Sequence, residues 1–410
     1  KMSGFLALAG KETVKADLTA AERLEKGPVY ASVAAMETGA GSPAPDDWPT
    51  YRRDPRRSGH SRAAISEIVE QAWQVDLGGR ITQPVVADGK LYLARKDAHQ
   101  ICCFDADDGR MQWRFTAGAR VDSPPTIYSD NLVLFGCRDG WVYCLRASDG
   151  KMAWRFRAAP ADRRIVSFEQ VESAWPVPGN VLLLDGVAYV TAGRSSFLDG
   201  GVYLYGLKPQ TGEVLYQTCV QGPWPDVETE VGRPFDMDGL KSDILVSDGD
   251  YLFLYQMAFD KQLNDVTPER ASTLGDRIMG RHLIATGGFL QELWFDRTFW
   301  SYSKRWPGFY YANDAPKAGQ ILAFDDTTTY GLHVYTKRLR LSPAFTPGGE
   351  GYELFADDND NEPVLAPNSI DREKGPGFSR AAPPLWSQQI PLRVLAMVLA
   401  GDKLFLAGPP

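Results

Sequence analysis

The chain has 410 residues, enough for one large domain or for two or three smaller ones. It is 44% hydrophobic and 23% charged, as globular proteins are, and no run of 18 apolar residues marks a membrane-spanning helix. A net charge of −8 argues against a nucleic-acid surface, and five cysteines without a Cys-x-x-Cys pair argue against a zinc ribbon.

Residues 1–47 read as the end of a preceding segment and a linker. Phe5–Leu8 is a short apolar piece, Thr19–Lys26 has room for one or two helical turns, and Gly39–Asp47 is rich in Gly, Ser, Pro and Asp. From Trp48 to Ser61 the chain reads as an extended strap. Pro49 and Pro55 forbid a helix, Trp48 and Tyr51 anchor it, and its four arginines either bind an anion or, as expected here, sit in solvent with surface ion partners.

Residues 73–156 hold one pattern twice. Trp73 to Trp113 is 40 residues and Trp113 to Trp154 is 41, with a proline 11 residues after the first Trp of each copy, Pro84 and Pro124. Within a copy, Val85–Ala87 and Leu91–Leu93 flank Asp88-Gly89, a tight hairpin turn. Ile101–Phe104 is a further apolar run closed by Asp108-Gly109, and Met111, Trp113 and Phe115 then alternate with Arg110, Gln112 and Arg114. A period of about 40 residues made of four short strands predicts the blades of a β-propeller, in which stacked sheets bury each other's faces.

The run Cys103-x-Asp105-x-x-Asp108-Gly109-x-x-x-Trp113 resembles the tryptophan-docking repeat of the quinoprotein-like (PQQ-like) β-propellers of bacteria, usually Ala-x-Asp-x-x-Thr-Gly-x-x-x-Trp. The second copy keeps Gly150 and Trp154 and has Arg146 at the Asp position. A third, Gly206–Tyr216, keeps Thr211-Gly212 and puts Tyr216 in the Trp position. The strap resembles the entry segment ahead of the first blade in such proteins. The resemblance implies an all-β PQQ-like propeller of four-stranded blades over 48–410, with Trp73, Trp113, Trp154 and Tyr216 as docking residues. It also implies a place in the periplasm or outside the cell.

After Trp154 the period stretches. Two loops exceed their counterparts: Ala161–Trp175, and Arg194–Gly201 after the hairpin Val181–Val190. In an antiparallel blade these two loops share one rim, so Arg163, Arg164 and Glu172 are expected to meet Arg194, Ser195 and Asp199. Together they would frame a pocket for a small anionic or sugar-like ligand, or an ion-pair cluster that pins the loops. An acidic connection follows at 220–243, and a fourth hairpin at Ile244–Leu254. Residues 258–318, with His282, Trp294, Trp300, Trp306, Tyr310 and Tyr311, read as a large aromatic insertion. Residues 340–384 read as a long loop. Trp386 to Gly408 starts a blade that stops before its last strands, which with Lys1 at the start reads as a fragment.

Chemical signatures are sparse. Cys102-Cys103 stands where adjacent strand residues face opposite ways, which disfavours a vicinal disulfide; Cys102, Cys103, Cys137 and Cys144 read as free buried thiols in strands. Asp357–Glu362 lacks the glycine and spacing of an EF-hand loop and reads as a solvated acidic loop. His60, His99, His282 and His333 show no metal-binding spacing. No catalytic residue, metal site or cofactor is therefore expected. The reading is a non-catalytic binding or scaffold propeller for a protein or a small ligand. Two alternatives stand: a PQQ- and Ca²⁺-dependent oxidoreductase of alcohols or sugars, and a propeller module of a larger enzyme.

Overall fold

The computed structural model describes residues 19–36, 44, 46–66, 68–129, 131–167, 169–222, 243–269, 277–290, 300–307, 315–334, 351–365 and 378–409. The apolar piece at Phe5–Leu8, most of the acidic connection, and Trp294, Tyr310 and Tyr311 lie outside the described residues.

The first blade is the sheet Val85–Ala87, Lys90–Arg95, Gln100–Asp105 and Met111–Thr116, each strand antiparallel to the next. The second runs Thr126–Tyr128, Leu132–Gly136, Trp141–Arg146, Met152–Arg157, and the third Leu182–Leu184, Val187–Ala192, Val202–Leu207, Val214–Val220. The opening turns follow from their residues. Asp88 and Gly89 both have positive φ, 51° and 65°, as do Asp185 and Gly186 at 49° and 78°. That is what a two-residue hairpin turn matched to strand twist requires. All three blades carry a register shift between their last two strands, one residue before the docking aromatic: opposite Cys103/Phe104, at Met152/Trp154 and at Gly206/Leu207. A bulge there re-aims the aromatic ring towards the next blade.

The joint between blades is the same each time. Trp73 Nε1 donates to Ala106 O (2.9 Å), Trp113 Nε1 to Ala147 O (2.8 Å) and Trp154 Nε1 to Pro209 O (2.9 Å). Each indole lies on the glycine of the turn it caps. A Cβ on Gly109, Gly150 or Gly212 would fall 2.6, 2.4 or 2.8 Å from the ring, and all three glycines have φ near +70°. Trp113 and Trp154 are buried and Trp73 half-buried. Tyr216 has no indole N–H. It packs half-buried into the cluster around Leu263, while the hydroxyl of Tyr189 donates to Lys261 O (2.7 Å) at the turn of the following sheet.

Four more sheets follow among the described residues. The fourth is Val246–Ser247, Leu252–Leu254 and Met257–Phe259, and the fifth His282–Ala285, Trp300–Ser303 and Ala318–Gly319. The sixth is Ile321–Phe324, Thr328–His333, Tyr352–Asp358 and Trp386–Ile390, and the seventh pairs Ala396–Ala400 with Lys403–Ala407. The stretch expected as an insertion thus holds a sheet. Its strands lack apolar alternation because Ser301 and Ser303 are buried, hydrogen-bonded to each other at 2.9 Å. The stretch expected as a long loop holds the seven-residue strand Tyr352–Asp358 and the hairpin Val364–Leu365/Phe378–Ser379.

The segment ahead of the strap also packs on the sheets. Leu24–Lys26 adds an antiparallel fifth strand beside Trp154–Phe156, and the short helix Tyr30–Ala34 places Val33 in the core around Trp154.

The strap itself crosses the inner edges of the blades. Trp48 exchanges backbone hydrogen bonds with Val86 of the first blade. Pro49 O then accepts from Ile127 N of the second (2.8 Å), Pro55 O from Ser247 N of the fourth (2.9 Å), Ser58 O from Phe324 N of the sixth (3.0 Å) and Gly59 O from Leu399 N of the seventh (2.9 Å). His60 and Ser61 end it as a parallel partner of Leu399–Ala400. Two of its arginines are not in solvent as expected. Arg57 is fully buried, and Arg52, half-buried, donates to Leu322 O of the sixth sheet. The inner-strand carbonyls offered better partners than water because the strap lies against them along its whole length.

Candidate functional site

The two long loops do meet. Arg163, from the first, pairs with Asp199 of the second and lies 5.3 Å over the ring of Trp175, whose Nε1 donates to Asp199 O (2.7 Å). Glu172, on the hairpin Arg164–Ser167/Gln170–Ser173, is buried. Its Oε1 accepts from Arg194 (2.5 Å) and its Oε2 from Arg138 (3.1 Å). Arg138 also pairs with Asp122, which accepts two bonds from Arg120 at 2.7 and 2.9 Å. The result is a buried chain of alternating charge: Arg120, Asp122, Arg138, Glu172, Arg194.

Two of the expected pocket residues play other parts. Arg164 points outward and pairs with Asp162 (3.4 Å). Ser195 is buried, and its hydroxyl accepts from Phe197 N (3.3 Å), so it shapes the turn. Arg120, Asp122 and Arg138 were not singled out from sequence. They lie in loops of ordinary length, where nothing distinguishes them from surface charges. Asp243 is a further addition. It is buried, accepts from Phe289 N and Leu290 N (2.8 and 2.9 Å), and burial pushes its carboxyl up to about 6.

The outer face of the hairpin is apolar. Val166 and Val171 are cross-strand partners and stand 76% and 57% exposed. The opposite face carries Ile165 and Glu172 onto the blade. Phe197 and Leu198 on the second loop are also exposed. The hairpin end reaches the first blade, where His99 Nε2 lies 3.3 Å from Gln170 Oε1.

A model of the family described as outer membrane protein assembly factor BamB matches residues 64–273, just over half of the chain. The chain belongs to this PQQ-like repeat family. A search of the curated proteins finds no match. Among solved structures, the chain is similar to the quinohemoprotein alcohol dehydrogenase of Comamonas testosteroni, at 13% identity over 92% of this chain and 73% of that one, with a TM-score of 0.50. A second such dehydrogenase, from Pseudomonas putida HK5, matches at 12% identity over 94% and 71%, with a TM-score of 0.51. BamB from Moraxella catarrhalis matches at 13% identity over 82% and 83%, with a TM-score of 0.40. At these identities the likeness is one of fold.

The PQQ-like propeller seen here can be tested for the quinone and Ca²⁺ of the dehydrogenase reading. A Ca²⁺ site needs six to eight oxygens with uncommitted carboxylates. Along the charged chain, Glu172 and Asp122 are each held by two arginines. Asp357 is bound by Arg380 and by the Lys317 amide, and Glu362 by Arg281 and Lys317, so that of this loop's acids Asp358 and Asp360 are solvated as expected and Asp357 and Glu362 are not. These donor sets do not fit a divalent cation. All five cysteines are free. Cys102 and Cys103 enter different core clusters on opposite faces of the first blade, and burial pushes the Cys103 thiol up to about 12. Cys137 falls just past the end of its strand, where its thiol donates to Ala119 O (3.3 Å).

Proposed function

We propose that this PQQ-like propeller is a non-catalytic binding protein whose rim, built on the Arg164–Ser173 hairpin and the Arg194–Gly201 loop, takes a protein partner. The observation that carries the reading is the pairing of Glu172 with both Arg138 and Arg194. It ties down two loops whose outward side chains, Val166, Val171, Phe197 and Leu198, are apolar and exposed. Charge held inside and apolar groups held rigidly outside suit recognition, since a pre-ordered surface loses little entropy on binding. Family membership supports a place outside the cytoplasm, and no helix among the described residues is long and apolar enough to cross a membrane. The alternatives of a dehydrogenase and of a module in a larger enzyme have no comparable observation.

The test has two arms. A photo-crosslinking side chain at Leu198, exposed on the same rim, should yield a discrete protein adduct in the host cell, and V166E/V171E in the same background should abolish it without lowering Tm. Dye-linked oxidation of alcohols or sugars by the purified chain with PQQ and Ca²⁺ should stay at background. Sustained turnover, or crosslinks that V166E/V171E leaves unchanged, overturns the reading.

A further inference from the structure

On the opposite face of the propeller, the strap and the opening turns of the second and third blades enclose a cleft of about 440 Å³. Those turns follow Tyr128 and Leu184, the last residues of the first strands of their blades. The rim loops lie at the other ends of the same sheets. The size is that of a small-molecule site.

Arg57 lines the cleft and is fully buried. Its Nε donates to Leu245 O, and its Nη1 to Thr50 Oγ1 and to the carbonyls of Tyr51 and Asp54, at 3.1 to 3.3 Å. All four acceptors are neutral. Nη2 has no hydrogen-bond partner, and Arg57 forms no salt bridge among the described residues. A buried cation without a direct ion pair is costly, and burial draws its pKa down to about 10 against the opposing charge of Asp54.

The carboxylates lining the cleft are engaged elsewhere. Asp54 accepts from the backbone and hydroxyl of Ser58, Asp185 is paired with Lys261 (2.6 Å), and Asp47 accepts from Ala44 N (2.7 Å). A second guanidinium, that of Arg53, lines the same space. Pro49, Pro55, Ile127, Leu183 and Leu184 supply the apolar part of the wall, beside the hydroxyl-bearing Thr50, Thr126, Tyr128 and Ser129.

We infer that this cleft binds a small organic carboxylate, its carboxylate on Nη2 of Arg57 and its apolar body against Leu183, Leu184 and the two prolines. A charge-assisted bond to an already desolvated guanidinium favours an anion, and the wall favours an aliphatic or aromatic body over a polyol.

The probe is 4-fluorobenzoate, followed by ¹⁹F NMR line width on the intact chain. Saturable broadening is expected, with 4-fluorobenzyl alcohol, isosteric and uncharged, binding at least tenfold more weakly. Arg57→Gln should abolish binding. Because Arg57 also holds the strap, Leu184→Trp supplies an independent test. It fills the cleft from a half-exposed turn and should weaken binding at least tenfold with Tm nearly unchanged. Equal binding of acid and alcohol, full competition by inorganic phosphate at the same affinity, binding unaffected by Leu184→Trp, or no saturable broadening each overturns the proposal. A rim variant such as V166E/V171E should leave the signal unchanged, so the cleft and the rim are tested separately.

Discussion

Trp154 and Gly212 form a single joint between the second and third blades, and each constrains the other. Trp154→Ala should cost about 3–5 kcal/mol in urea unfolding, the range for an aromatic lost from a core. Trp154→Phe keeps most of the packing, drops the bond to Pro209 O, and should cost distinctly less. Gly212→Ala should also destabilise by more than 1 kcal/mol, since φ is +70° and the ring and Leu24 stand within 2.8 Å of the new Cβ. These residues were legible in sequence because Gly and Trp recur at a fixed offset, and only contact between blades demands that. Asp243 was not legible, because its two amide donors come from Phe289 and Leu290, far along the chain. It makes a pH prediction. Its folded pKa of about 6 exceeds the unfolded value near 4, so the native state binds the extra proton between those values. Its contribution to stability is therefore present at pH 4 and is lost as pH rises through 6, by roughly 3 kcal/mol over two pKa units. Denaturation of wild type and Asp243→Asn across pH 4–7 should show the difference shrinking as pH rises; parallel curves would refute it.

At the scale of elements, the hairpin Arg164–Ser173 is held by its inward charges. Glu172→Ala leaves the buried Arg138 and the half-buried Arg194 with one anion fewer, and should cost about 3–5 kcal/mol and open the hairpin to limited proteolysis. Arg164→Ala, which removes only an exposed pair with Asp162, should fall within about 0.5 kcal/mol of wild type. Equal effects would mean that the charged chain does not hold the loop. The extra length of the two loops pointed to this rim, because a blade's period sets a standard against which insertions stand out. The partners Asp122 and Arg138 sit in loops that meet that standard. The fifth sheet was hidden for the converse reason: buried serines erase the alternation by which a strand is read.

For the molecule as a whole, the strap is the component shared by the most blades. Ile127, Ser247, Phe324 and Leu399 lie in four different sheets, yet each gives its amide to a carbonyl between Pro49 and Gly59. Hydrogen exchange should therefore find these four amides opening together, and a strap-weakening change such as Tyr51→Ala should raise all four rates by a similar factor. Independent rates would show that the blades hold their inner edges without the strap.

The bond between Gly59 and Leu399 also sets an order in time. During synthesis residue 59 leaves the ribosome 340 residues before its partner exists. The early blades can form as they emerge, since their contacts are between neighbours. The strap can reach the seventh sheet only after that sheet arrives. That step joins the most distant parts of the chain, which makes it slow. Until it occurs the inner edge of the seventh sheet lacks the strap, and unpaired edges of that kind favour association between chains. Refolding from denaturant should accordingly show a late phase seen at the strap and not at Trp113, and the yield should fall as protein concentration rises during that phase.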